Sequence, residues 1–419
     1  MRWLLALWAL TACGTRPAVG PFSLRIALVG PLQPLGAQQT ETSSSAMANA
    51  WVFEPLAVFD DRGQLVPRLA TRIERLGAHR IRVQLGPATF SDGAPLTEAD
   101  VVRSLAASGL RAVRVGAFLE IEAVDNRLPI ESALEHAAIS RVADGVEVGT
   151  GPFAVVSETP EEIVLARRAP LAGRINEVVV VGYPTERETL VRTLRGDADV
   201  LRVTEPRLLE FFEGVPRLKV LRAPGPSVHA LGFNSRRLDQ KERLALVHAL
   251  RTGPISEIAY GPGCAPVPPA SYAPLPPGRK LGVMVGQESD LKLALAIRRA
   301  LGTRGGEVRN VEPAAYFAAL KAGDFDLALG RPLTWPPMAA ATNWRSGAAT
   351  NVLDYASPLV DAAIDRADWP GVERALAADP PAAFFCTQQR LAVVDARVVE
   401  AGLGPLSFFE TLPEWRVAP

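Results

Sequence analysis

Polar and apolar positions alternate in His79-Arg80-Ile81-Arg82-Val83-Gln84-Leu85, which predicts a strand with one buried face. Glu177–Gly182 is a β-branched run of strand length, and Glu186–Leu194 after it carries helical spacing. Gly196-Asp197-Ala198-Asp199-Val200 then returns the chain to a strand. The same order recurs further on: strand at Leu281–Val285, helix at Asp290–Leu301 with Leu293, Ile297 and Leu301 on one stripe, and strand at Glu307–Val311. A helix at Ala314–Lys321 follows and ends on Gly323-Asp324-Phe325-Asp326-Leu327, the second copy of a Gly-Asp-x-Asp-apolar step. A glycine stops the helix in each copy and the apolar residues feed a buried strand. Strand–helix–strand units of this kind imply parallel strands with right-handed crossovers, and two of them about 125 residues apart predict two α/β lobes. Between the N-terminus and the first unit, Ser91-Asp92-Gly93 reads as a turn, and Thr97-Glu98-Ala99-Asp100 opens a helix with Thr97 as its cap.

Length and composition agree with that picture. About 400 residues is too many for one core, and 48% hydrophobic residues suit globular folding. Arg2 followed by the apolar run Trp3–Ala12 is too short to span a bilayer and reads as an export signal. It ends in Leu10-Thr11-Ala12-Cys13, which resembles a bacterial lipobox, so Cys13 is the expected lipidation site and mature N-terminus. Residues 13–22 read as a tether, and several acyl chains anchor a protein stably to a membrane surface. Loss of residues 1–12 removes Arg2 and leaves 44 basic against 45 acidic residues. So near-neutral a chain lacks the electrostatic footprint of a nucleic-acid binder. Cys264 and Cys386 are able to pair in an oxidising compartment, and spacing alone leaves a disulfide and two free thiols equally open.

The motifs, taken in order, resemble the extracellular solute-binding proteins of family 5, the oligopeptide- and dipeptide-binding type that serves ABC importers. They are Glu54-Pro55-Leu56, Leu65-Val66-Pro67-Arg68-Leu69-Ala70, and Phe90-Ser91-Asp92-Gly93-Ala94-Pro95-Leu96-Thr97-Glu98-Ala99-Asp100-Val101. After these come Gly149-Thr150-Gly151-Pro152-Phe153, Leu231-Gly232-Phe233-Asn234, Arg243 to Leu250 and Gly323-Asp324-Phe325-Asp326-Leu327. The resemblance implies an α/β, two-lobed, periplasmic-binding-protein-like fold with mixed sheets, a hinge and an extra subdomain, here reduced around Gly109–Val148. It puts lobe I at 21–45, 147–234 and 390–419, the extra subdomain at 46–146 and lobe II at 235–389. It further implies no enzymatic activity and no cofactor, a small-molecule or peptide ligand closed between the lobes, and ABC permease subunits as partners. A monomer, facing the periplasm or cell exterior and touching the membrane only through its lipid, completes that expectation.

Candidate ligand contacts follow from the segments that line the cleft in such proteins. Arg331, Thr334, Trp335 and Trp344 lie after the second Gly-Asp-x-Asp step. Arginine offers a fork that grips a carboxylate, and tryptophan offers stacking area. Trp51 and Glu54 are expected to open the strand that enters the subdomain, and Phe233 and Asn234 sit at the hinge crossover, where Asn234 can equally cap backbone groups. Asp324 and Asp326 fit a structural role at the helix–strand step better than a ligand role. Peptide binders of the family place an Asp just after the Trp of this segment, and it pairs with the ligand's α-amino group. Here no acid stands between Asp326 and Asp354. A buried ammonium without a carboxylate is costly, so an ordinary peptide N-terminus is disfavoured and Glu54 becomes the substitute anchor. His79, His136, His229 and His248 are scattered without metal-ligand spacing, and HExxH, GxSxG and CxxC are absent. Two hypotheses remain: an importer's binding protein, or a binding lipoprotein that has turned sensor or surface-interaction protein.

Overall fold

The computed structural model describes residues 22–37, 46–60, 64–77, 79–124, 130–203, 206–250, 252–260, 264–266, 273–332, 343–348, 350–366, 368–404 and 409–418. One eleven-stranded mixed sheet runs through it. Its order is Phe153–Glu158, Glu162–Arg167, Glu177–Tyr183, Ser23–Val29, Val200–Val203, Ala382–Asp395, Leu218–Phe233, Leu327–Gly330, Leu281–Val285 and Gly305–Asn310, with Cys264–Pro266 added beside Ala382–Asp395. Both strand–helix–strand units form as the sequence pattern predicts. Ser23–Val29 is parallel to Glu177–Tyr183 and to Val200–Val203 in one half, and Leu281–Val285 is parallel to Gly305–Asn310 and to Leu327–Gly330 in the other. The long antiparallel pair Leu218–Phe233 and Ala382–Asp395 joins the halves, with register shifts at Pro224/Val228 and His229/Ala230. Such irregularities bend and twist a ladder, which is what two strands shared by two lobes require.

The repeated Gly-Asp-x-Asp step does the same work twice. Gly196 and Gly323 end their helices in the left-handed conformation, at φ 87° and 70°, where only glycine is free of strain. The second Asp of each step then accepts the amide of the neighbouring parallel strand: Asp199 from Arg25 at 2.7 Å and Asp326 from Gly282 at 3.1 Å. Each is also ion-paired to an arginine, Arg397 at 3.0 Å and Arg279 at 2.9 Å. Asp326 is therefore structural, and Asp324, exposed beside Arg237 and Arg309, is a surface residue.

Apolar side chains gather on both faces of each half of the sheet. Leu24, Ile26, Phe153, Val178 and Val394 belong to one cluster of the first half, and Val179, Val181, Leu201 and Val393 to the opposite one. In the second half, Leu231, Phe233, Val283, Ile297 and Phe385 pack on one face, and Met284, Tyr316, Trp344, Tyr355 and Val360 on the other. A separate core over residues 56–139, including Phe90, Val101, Leu105 and Ile121, lies within the segment expected to form the extra subdomain. It is built on the antiparallel sheet Ala70–Arg75, Arg80–Leu85, Phe118–Ala123 and Leu110–Val115, which confirms the strand read from alternation. Helix Glu98–Ala107 starts at Thr97 with a reciprocal capping box to Asp100.

Trp51 departs from expectation in secondary structure. It ends a helix, Ala46–Val52, instead of opening a strand, because Ala46, Met47, Ala48 and Ala50 favour a helix and the next strand starts only at Ala57, past Pro55. The Gly-Thr-Gly motif explains how that helix end is held. A Cβ on Gly149 would lie 2.0 Å from the carbonyl oxygen of Val52, and one on Gly151 2.3 Å from that of Trp51. Gly151 donates its amide to the Val52 carbonyl at 2.9 Å. Cys386 is disulfide-bonded, and the backbone of Cys264–Pro266 runs antiparallel beside it with Pro266 opposite Cys386. Among the described residues no helix is long and apolar enough to cross a membrane.

Candidate functional site: a cavity at the strand ends of the second half

Ligand sites in open α/β sheets form outside the carboxyl ends of parallel strands. Two such ends lie side by side here, Val285 followed by Gly286-Gln287 and Gly330 followed by Arg331-Pro332. A cavity of about 820 Å³ opens at this edge and reaches down the sheet beneath helix Pro313–Ala322. Volumes of roughly 300–1,000 Å³ are those of whole small-molecule sites.

The floor of the cavity is a consequence of strand alternation. Ala230 and Gly232, Ala328 and Gly330, and Ala382 all line it, while the intervening Leu231, Phe233, Leu327, Ala383 and Phe385 fill the core on the opposite face. Register puts the small residues next to each other: Ala230 opposite Gly330, and Gly232 between Ala328 and Ala382. Tyr316, Phe317 and Leu320 come from the covering helix, and Trp344, Val352 and Leu353 from the segment that follows. Tyr316 packs over Gly286, where a Cβ would sit 2.8 Å from its ring, and its hydroxyl donates to the Leu329 carbonyl. Burial, and then the charge of Asp290, push that phenol far above its ordinary pKa, so it remains a donor. Trp344 meets Phe384 edge-on at 6.2 Å and is 5% exposed.

Charged groups cluster at the mouth. Arg331 donates to the buried carboxylate of Asp290 at 2.8 Å. Arg202, on the strand Val200–Val203 of the first half, is exposed. Desolvation, followed by the like charge of Arg331, lowers its pKa. His229, buried on Leu218–Phe233, is held at a pKa of about 4 by desolvation and then by Arg331, against the opposing pull of Asp290.

The histidine carries a testable pH dependence. Its folded pKa lies below the ordinary value of about 6.5, so the unfolded chain takes up the proton first as pH falls. Stability from this group is complete above pH ~6.5 and declines toward pH ~4; between pH 7.5 and 5 the decline is about 2 kcal/mol. His229→Gln is expected to remove that share of the decline in urea denaturation at the two pH values. An unchanged decline in the variant would assign it to other groups.

The sequence-predicted contacts divide clearly. Arg331 and Trp344 line the cavity. Thr334 and Trp335 lie outside the described residues. Trp51 is a core residue of the first half, 1% exposed, its indole N–H bonded to the Phe409 carbonyl at 2.7 Å. Glu54 is engaged by Arg68 at 2.8 Å instead of standing free as an anchor. Phe233 is fully buried on the face turned away from the cavity. Asn234 binds backbone: its amide donates to the carbonyls of Gly323 at 2.9 Å and Phe325 at 2.7 Å, and its oxygen accepts from Arg236. Sequence reasoning missed Asp290, Tyr316 and the glycine–alanine floor. Asp290 reaches the cavity from beyond a different strand end and is held there by Arg331. Among the described residues no group of three or more His, Cys, Asp or Glu side chains is placed to hold a metal ion.

No protein-family model matches the sequence, and no curated protein does so either. Solved structures match along nearly the whole chain. The ABC transporter substrate-binding protein CtaP of Listeria monocytogenes superposes with a TM-score of 0.78 at 16% identity, over 95% of this chain and 99% of its own. AppA of Bacillus subtilis, an oligopeptide-binding protein in complex with a nonapeptide, gives 0.71 at 16% identity over 95% and 99%. The binding protein AgaA of A. tumefaciens R10, in complex with agropinic acid, gives 0.72 at 19% identity over the same shares. At these identities the likeness is one of architecture, and in architecture the chain is a periplasmic-binding-protein fold.

Proposed function

We propose that this chain is the substrate-binding protein of an ABC importer. It captures a peptide or peptide-like solute between two lobes, at the cavity beside Arg331, and presents it to the permease. Superposition over the full length of an ABC transporter substrate-binding protein is the observation that carries this reading. The cavity at the strand ends supports it, because the mouth adjoins the long strand pair that joins the halves. Hinge motion about such a pair is a general way to couple capture to partner recognition. Export and anchoring through Cys13 belong to the same proposal, and the disulfide at Cys386 supports an oxidising compartment.

Lobe I in this reading comprises 21–45, 147–234 and 390–419, with the subdomain at 46–146 and lobe II at 235–389. Ligand contacts are Arg331, Trp344, Asp290, Tyr316 and Phe317, with Thr334 and Trp335 following directly in the chain. Asp290 is already held by Arg331, so a free α-amino group gains little from it. Thermal-shift screening of residues 22–419 against di- to pentapeptides, N-blocked peptides, sugars and amino-acid conjugates tests the proposal. A ligand at 100-fold its dissociation constant adds about 2.7 kcal/mol. Stabilisation by peptides or conjugates, with N-blocked forms binding as well as free ones, is expected. Silence from a folded protein across the panel would remove the capture function and favour the sensor reading.

A further inference from the structure

Beside the point where the chain enters the main sheet stands an apolar loop that no core absorbs. Ala169-Pro170-Leu171-Ala172, between strands Glu162–Arg167 and Glu177–Tyr183, is exposed throughout, with Leu171 at 50%. Its shape is fixed by hydrogen bonds. Asn176 accepts from the Leu171 amide at 2.9 Å and donates to the Leu171 carbonyl at 3.1 Å. The Arg174 amide donates to the same carbonyl at 3.2 Å, and Gly173, at φ 69°, supplies the left-handed residue of that four-residue turn. Arg168 and Arg174 flank the tip, and no Asp or Glu occurs between Glu162 and Glu177. Arg168 is tied to the carbonyls of Thr150, Gly151 and Phe90 and to the Thr89 hydroxyl, so the tip's main character is apolar. Val399, 54% exposed, lies on the adjoining strand pair, where Arg416 bridges to Arg174 and pairs with Glu400 at 3.3 Å.

The place of this loop names what covers it. Asn176 and Glu177 donate their amides to the Phe22 carbonyl, so the tip stands where residues 13–22 join the fold. Cys13 and Phe22 are nine residues apart, a reach of at most about 30 Å. A compact chain of this size is roughly 55 Å across, so an acylated Cys13 keeps this end of the molecule toward the membrane.

We infer that the Ala169–Ala172 loop rests in the headgroup layer of that membrane, with Pro170 and Leu171 at the acyl-chain boundary and Arg174 beside phosphate. The inference rests on the lipidation of Cys13 proposed above. One leucine binds lipid weakly by itself, but on a tethered protein its burial raises contact roughly tenfold to hundredfold. The loop lies at strand amino ends of the first half and the cavity at strand carboxyl ends of the second, so the two use different surfaces. The full chain, exported and acylated in a bacterial host, tests this in phosphatidylethanolamine–phosphatidylglycerol vesicles with brominated acyl chains. Leu171→Trp should add emission that bromine quenches about twofold or more, because interfacial segments reach roughly 5–10 Å into the boundary. Leu359→Trp, at a position 70% exposed in the second half, should add emission that stays unquenched. Ala172→Trp should be quenched as well, and Leu171→Asp combined with it should abolish the quenching while thermal unfolding stays unchanged. Equal quenching at positions 171 and 359, or none at 171 in an acylated protein, would overturn the inference and leave the anchor standing. An intact mass without acyl groups on Cys13 would remove anchor and loop contact together and leave solute capture untouched.

Discussion

Arg331→Met should destabilise the protein by about 3–5 kcal/mol. The reason is the partner left behind. The Asp290 side chain is 7% exposed, and its oxygen lies 2.8 Å from the Arg331 guanidinium. Methionine keeps most of the arginine stem's volume but no donor, so a carboxylate would stay buried beside an apolar wall and the Tyr316 ring. Desolvation of the carboxylate, not loss of attraction, dominates the cost. Asp290→Asn combined with Arg331→Met should therefore recover most of the loss, because an amide carries no charge to desolvate. Guanidinium denaturation of the single and double variants measures this. Equal stability of the two variants would mean that the pair is solvated and contributes as weakly as a surface ion pair.

Gly149→Ala should cost about 3 kcal/mol or more, and Gly151→Ala a similar amount. In both cases the obstacle is backbone, the Val52 and Trp51 carbonyls at the end of helix Ala46–Val52, so no side chain can swing aside to make room. Accommodation requires the helix to lift, which would strip Trp51 from its bond to Phe409 and loosen the cluster around Phe53 and Phe153. Gly77 provides the control: nothing lies within 4 Å of a Cβ built there. Gly77→Ala should change stability by less than about 1 kcal/mol. Matching losses at Gly77 and Gly149 would show that the close approach is not the cause, since the lower entropy of the unfolded chain by itself makes Gly→Ala stabilising.

How much of this was legible in the sequence follows from the range of each interaction. Thr97 and Asp100 are three residues apart, and their capping box could be read directly. The two Gly-Asp-x-Asp steps were visible as helix stops, and their position between helix and strand implied the parallel units that form. Their second function, accepting the amide of a strand 174 residues away in one copy, is a long-range pairing that no local pattern encodes. Trp51 and Phe233 were misplaced for a simple reason: an aromatic residue carries the same sequence signal whether it lines a cleft or fills a core. Asn234, with both ends of its amide bonded to backbone, followed its capping alternative. Asp290 carries no local signal: the motif order points to the segment after Asp326, whereas this carboxylate reaches the cavity from beyond a neighbouring strand end. The floor was in fact written into Ala230-Leu231-Gly232-Phe233 and Leu327-Ala328-Leu329-Gly330, where small and large residues alternate. Alternation marks two faces of a strand; only the register between strands makes the small face a hollow.

Small-angle X-ray scattering, with and without a saturating amount of the strongest ligand from the stability panel, tests most directly that the solute is held between closing lobes. The account predicts a smaller radius of gyration with ligand bound, and loss of that contraction in Ala328→Leu at the same ligand concentration. An unchanged scattering profile at full saturation would place the ligand on a surface that does not move, and would contradict capture between the lobes.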